Sequence, residues 1–186
     1  MNVPYRQIRA VYTEETITVY QAYDPAIAVP AVAAQRFVAP FKRERMTWIK
    51  PSFLWMMYRC GYATKPGQAH VLAVDISRDG FAWALANASL SHHGGEEVRG
   101  KPVRVQWDPE RDLHHNPLPH RSIQIGLSGE AVTRYADEWI TAIRDITPQV
   151  KAVHAALRAK RDVAGLLPAE RPYPLGAELA AVVQAS

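Results

Sequence analysis

The chain has one cysteine, Cys60, so no internal disulfide can staple it. No apolar run approaches the ~18 residues of a membrane span. The opening "MNVPYRQIRAVY" lacks the apolar stretch of a secretory signal. These absences lead us to expect a cytoplasmic protein with no membrane partner. Charge of one sign is also scarce. Lys plus Arg number 22 and Asp plus Glu 18, a net +4. That excess favours phosphate-bearing partners but falls short of the dense basic stripe of a typical nucleic-acid binder. Internal repeats and low-complexity segments are missing.

Several chemical signatures are missing too. No glycine-rich phosphate loop follows a strand, which argues against a doubly wound nucleotide-binding fold. No Gly-x-Ser-x-Gly elbow occurs, and Cys60 has no catalytic surroundings. The histidines fall as His92-His93 and His114-His115, with His120 nearby. Adjacent histidines rarely share one ion, and no His-x-x-x-His or cysteine pair accompanies them. No metal site is expected, and loop histidines in solvent explain the pattern.

What is there fits one domain spanning residues 1–186, with a body over 5–165 and a proline-interrupted tail over 166–186 packing on it. Residues 7–23 are rich in Val, Ile, Thr and Tyr and predict two strands, near 7–12 and 16–22, turned by Thr13-Glu14-Glu15. Asp24 and Pro25 open a helix that Pro30 would kink or restart. "RMTWIK" (45–50) predicts a short strand. Pro51 then starts a helix that stops at Gly61. "HVLAVDIS" (70–77) predicts a strand and 78–90 a helix. A loop over 91–102, a strand over 103–108 and a second long loop to Arg121 follow. "SIQIGLS" (122–128) predicts a strand. Val132, Tyr135, Trp139, Ile140 and Ile143 recur near helical spacing and predict one helix over 129–146. A last helix covers about 149–163. The mixture predicts an α+β fold, a mixed or mainly antiparallel sheet packed by helices.

Two groups of residues could carry chemistry. Trp48 and Lys50 point to one strand face with Ile49 opposite. A ring and an ammonium on one face suit a stacked base and a phosphate. Ser52 follows in the first helical turn, where free N–H groups receive anions. Core packing of Trp48, a snorkelling Lys50 and a capping Ser52 explain the same residues. Phe53, Met56 and Met57 form the core stripe of the helix, and Arg59 shares the Ser52 side. The second group is Arg121, Ser122, Gln124 and Glu130. Ser122 and Gln124 share a face opposite Ile123 and Ile125. Glu130 sits near a helix N-terminus, where capping, with Ser128 beside it and the dipole, is the favoured explanation. Arg9, between apolar neighbours on the first strand, offers a planar fork to a phosphate or snorkels to water. Asp75 is a strand carboxylate with no visible partner.

"RAVYTEETITVYQAY", "TWIKPSFLWMMYRCGYATKPGQ", "KPVRVQWDPERDL" and "RSIQIGLSGEAV" together resemble the domain-of-unknown-function 4291 family, over about residues 5–175. That resemblance implies no activity and transfers no catalytic residue. An early hairpin with an Arg, a Thr/aromatic strand, a following helix and a late strand near a Glu are similar in outline to ADP-ribosyltransferase-like domains. The Arg–Ser–Glu and His–Tyr–Glu signatures of those enzymes are not cleanly present. This second likeness implies NAD as cofactor and transfer of ADP-ribose to protein or nucleic acid. Arg9 and Lys50 would then hold the cofactor's phosphates, Trp48 would stack on a ring, Ser52, Arg59 and Arg121 would join the cofactor-binding set, and catalytic Glu130 with Gln124 would orient a ribose. The alternatives are a non-catalytic nucleic-acid-binding module, which needs Arg6, Arg9, Lys42, Arg43 and Arg45 on one basic face, and a structural or regulatory protein whose Trp-rich segment is core.

Overall fold

Thr13 closes the first turn as expected: its Oγ1 accepts from the backbone N–H of Glu15 and Thr16, at 3.2 and 3.0 Å. The computed structural model describes residues 3–91 and 100–186. The turn joins β1 (Arg9–Ala10) to β2 (Thr16–Tyr23). Helix α1 (Pro25–Ala34) follows and runs through Pro30 instead of breaking there. Ala28 and Ala31 are fully buried on either side of that proline, so packing holds the helix together across it. Strand β3 (Thr47–Ile49) leads to α2 (Phe53–Cys60). Ser52, not Pro51, begins this helix: it is the N-cap, and its Oγ accepts from Trp55 N–H at 3.1 Å. Gly61 ends it with φ of 59°, a left-handed geometry that favours glycine.

Strand β4 (His70–Ser77) matches expectation, and α3 (Arg78–Ala86) is followed by a short strand, β5 (Ala88–Leu90), where the sequence reads as helix throughout. Ser77 caps α3, and Asn87 closes its C-terminus through bonds to Trp83 and Leu85. The long loop expected after residue 108 is instead a hairpin, with β6 (Val103–Arg111) meeting β7 (Pro117–Leu127). Asp112 explains the turn, because its carboxylate accepts from His114 and Asn116 backbone N–H, both at 2.8 Å.

The helix expected over 129–146 is the largest departure. Helix α4 (Glu130–Arg134) passes into a π-helical turn (Tyr135–Trp139), and the chain then becomes strand β8 (Ile140–Asp145). Gly129 rather than Ser128 is the cap residue, and the Ser128 hydroxyl donates to Pro102 O. Helix α5 (Thr147–Arg158) lies close to expectation. A 3₁₀ turn (Ala164–Leu166), β9 (Arg171–Pro172) and α6 (Ala177–Val183) complete the chain.

The result is a single-domain α+β fold. Strands β2, β4 and β8 form one antiparallel sheet with β4 central. A second sheet runs in the order β3-β7-β6-β5, antiparallel except for the β5–β6 pair. Ile17, Val19 and Val74 of the first sheet share one core with Ile49, Val105 and Ile125 of the second. The other face of the first sheet, with Tyr20, Val71 and Ala73, packs on α2 and α5 through Phe53, Met56, Met57 and Val153. The tail packs on the body. Trp107 Nε1 donates to Val183 O at 2.7 Å, Tyr173 N–H to Ile8 O at 2.8 Å, and β9 pairs with β1. The two sheets meet where Tyr20 N–H donates to Lys50 O at 2.7 Å.

Candidate functional site

A cleft of about 780 Å³ opens at that junction, within the ~300–1,000 Å³ typical of ligand sites. Trp48 and Lys50 line it from the end of β3, and Gln124 and Gln106 from the paired centres of β7 and β6. Alternation explains the placement: Ile49, Ile123, Ile125 and Val105 turn into the core, so their neighbours turn outward. Trp55, Met56 and Arg59 complete the wall from α2. The segment after α1 adds Phe41, Lys42 and Arg45, and β2 adds Gln21 and Tyr23.

The charge of this lining is one-sided. Lys42, Arg45, Lys50 and Arg59 are cations, and no Asp or Glu is among the described lining residues. Asp108 is the carboxylate beside it, on β6, and Gln124 Nε2 donates to its Oδ2. Lys50 is the least ordinary of the four. It is 6% exposed, and its Nζ donates to Trp48 O at 3.2 Å and lies 5.7 Å from the Trp55 ring centre. No ion pair to a carboxylate is formed by Lys50 among the described residues. Burial, and then the nearby Arg59 charge, push its pKa down from 10.5 to about 7.

Beneath the cleft lies a closed polar network centred on Gln21. Its Nε2 donates to Tyr23 Oη and Thr47 Oγ1, both at 2.8 Å, and reaches Trp48 O at 3.2 Å. Its Oε1 accepts from Tyr135 Oη at 2.5 Å. Burial raises the Tyr23 phenol to about 12 and lifts that of Tyr135 as well, so both stay protonated. The network fixes the carbonyl of Trp48, which in turn holds the Lys50 amine.

Of the residues expected at a site, Trp48, Lys50, Arg59 and Gln124 line this cleft together. The others do not line it. Ser52 is buried as the α2 cap. Arg9 bonds Gln7 and the carbonyl of Glu170. Arg121 donates to Tyr5 Oη at 2.8 Å and sits over the Tyr5 ring. Glu130 is exposed and paired with Arg134 at 2.7 Å. Asp75 finds partners in Arg144 and in Thr18 Oγ1, the latter at 2.7 Å. His115 and His154 each stack on the Tyr62 ring, with ring centres 5.1 and 5.0 Å away. His92 and His93 lie outside the described residues. No group of three or more His, Cys, Asp or Glu able to hold a metal occurs among the described residues. No helix among them is long and apolar enough to cross a membrane.

Sequence reasoning missed Gln21, Trp55, Gln106, Lys42 and Arg45 as lining residues. Gln106 was readable, since it sits between inward Val105 and Trp107 in the pattern of Gln124. Lys42 and Arg45 carry no periodic signal, because they lie on a loop.

The family model described as "Domain of unknown function (DUF4291)" matches residues 7–173. The chain belongs to this family. The match covers every strand and all helices but the last, including each wall of the cleft. No curated protein and no solved structure matches the chain. The likeness to ADP-ribosyltransferase-like domains therefore gains no support from a solved fold.

Proposed function

We propose that this member of the DUF4291 family is a nucleotide- or nucleic-acid-directed enzyme that binds a phosphate beside a planar ring in the cleft at Lys50. One observation carries the reading: four cations, two tryptophans and no carboxylate converge among the described lining residues. Basic side chains gathered with no carboxylate among the described lining residues repel one another, and a bound phosphate supplies the missing counter-charge. Trp48, half-buried at the mouth, offers a face for stacking. Arg59 supplies the planar fork suited to phosphate oxygens.

NAD carries both groups, so transfer of ADP-ribose stays within the proposal. It is the less favoured form, because a carboxylate that would steady a ribosyl cation is missing from the described lining and Glu130 is turned to Arg134. A purely nucleic-acid-binding module is favoured least. Arg6 bonds Gln184, Arg9 bonds the tail, Arg43 pairs with Asp137, and only Lys42 and Arg45 of that set reach the cleft.

The test is titration of the full chain with AMP, NAD and a short single-stranded oligonucleotide, followed by tryptophan fluorescence and calorimetry, and incubation with labelled NAD. Saturable binding that weakens with salt and is lost in Arg59→Ala and Trp48→Ala supports the reading. Absence of binding by all three ligands overturns it.

A further inference from the structure

The geometry points to Lys50 as a covalent nucleophile, whose amine condenses with the aldehyde or ketone of a phosphate-bearing ligand held in the cleft. The inference rests on the reading that the cleft accepts a phosphate, and it adds a reaction to that reading.

Three observations place the chemistry at Lys50 and not at another lysine. First, Lys50 lines the cleft from a fully structured strand end, while its backbone carbonyl is tied to Tyr20. The backbone that carries the amine is fixed by β-structure instead of waving on a loop. Second, its Nζ has a single protein acceptor, Trp48 O, and no carboxylate partner among the described residues. A buried amine so placed is held near neutrality, which leaves a lone pair for attack. Third, two guanidinium groups, Arg59 and Arg45, line the same cleft. Arg59 and Arg45 can bind the ligand's phosphate while Lys50 reacts. Trp55 adds a donor: its Nε1 is buried with no hydrogen-bond partner among the described residues, and its ring lies 5.7 Å from the Lys50 amine.

The step balances without an added oxidant or reductant. The lone pair of Lys50 attacks the carbonyl carbon, and the C=O π pair moves to oxygen, giving a carbinolamine. The nitrogen then forms a second bond to that carbon. The oxygen departs as water with both hydrogens of the neutral amine. An imine remains, and water reverses it.

The experiment incubates the full chain near neutral pH with pyridoxal 5′-phosphate, reduces with borohydride and maps the adduct by mass spectrometry. Pyridoxal, which lacks the phosphate, and a single-stranded oligonucleotide with one abasic aldehyde run in parallel. The expected result is reduction-trapped label at Lys50 in preference to the other lysines. Pyridoxal should label Lys50 about tenfold less, the scale of a lost charge-assisted hydrogen bond. Arg59→Ala should narrow that gap. Labelling by the oligonucleotide at Lys50 would assign the carbonyl to a nucleic acid, and labelling by pyridoxal 5′-phosphate alone to a small phosphate ester. Label spread over exposed lysines with none at Lys50 overturns the inference. Competition by AMP on the unmodified chain tests the same site without any variant. AMP binding with no Lys50 adduct removes the nucleophile and keeps the nucleotide site. A Lys50 adduct indifferent to AMP keeps the nucleophile and removes the nucleotide reading.

Discussion

Trp48 and Gly126 are register partners on β3 and β7, and a Cβ on Gly126 would fall 2.9 Å from the Trp48 ring. It would also fall 2.8 Å from Met46 Sδ. Glycine is required here for space, since the ring crosses its partner strand where any side chain would stand. Gly126→Ala should push Trp48 and Met46 outward and cost about 1–3 kcal/mol, the usual penalty of overpacking. Thermal unfolding and tryptophan fluorescence check this. An unchanged emission spectrum and midpoint would show that glycine is not required at this crossing.

Lys50 ties stability to pH with a definite sign. Its folded pKa, about 7, is below its ordinary 10.5. The group's contribution is therefore fully present above 10.5 and is lost as pH falls through about 7. Relative to Lys50→Met, the wild-type chain should lose stability between those limits and run parallel below them. Urea unfolding across that range measures the difference. A constant difference from pH 10.5 to 7 would contradict a buried, depressed lysine.

Glu170 has the opposite sign. Its carboxylate accepts from Phe53 N–H at 2.6 Å at the start of α2. Burial pushes its pKa up from 4.5 to about 8. Its contribution is present below 4.5 and is lost as pH rises through about 8. Glu170→Gln keeps an acceptor for Phe53 and removes the titration. The variant should gain on the wild type between those limits, again read by urea unfolding.

Tyr135→Phe removes the donor to Gln21 Oε1, which is enclosed beneath the cleft. A buried acceptor left without its partner costs about 1–3 kcal/mol. The variant should unfold earlier and, by loosening Gln21, relax the Trp48 carbonyl. A neutral effect on the melting midpoint would show that Gln21 finds another donor.

Gly80→Ala should be more damaging than an Ala in a helix usually is. Replacing Gly in a helix normally gains up to ~1 kcal/mol. Here the new Cβ would lie 2.3 Å from Trp139 Cγ, so the packing penalty reverses the sign. Calorimetric unfolding of this single variant decides between the two effects.

Local signals were enough for much of the architecture. Ser52 and Gly61 mark the ends of α2 because capping is a property of adjacent residues. Trp48 with Lys50, and separately Ser122 with Gln124, could each be given a strand face because alternation is equally local, but only the long-range pairing of β3 with β7 sets Trp48, Lys50 and Gln124 around one cleft. Ile140 and Ile143 show where this stops. Their spacing after Trp139 continues a helical pattern, yet they form β8 because β4 offers an edge that sequence neighbours cannot reveal. Arg9, Arg121 and Glu130 were drawn into the candidate site by their polarity near strand ends. Two of them find partners far away in the chain, the Glu170 carbonyl and Tyr5, and the third finds Arg134 one turn on. Pairing of that kind becomes visible only in three dimensions.

The Tyr20–Lys50 backbone bond joins the two sheets at the residue assigned the cleft's chemistry. Whatever seats on Lys50 thus bears on a seam between two otherwise separate hydrogen-bonded ladders. The Tyr20 amide becomes a built-in reporter. Its hydrogen exchange should slow when the cleft is filled, registering occupancy from the far side of the strand without any probe inside the site.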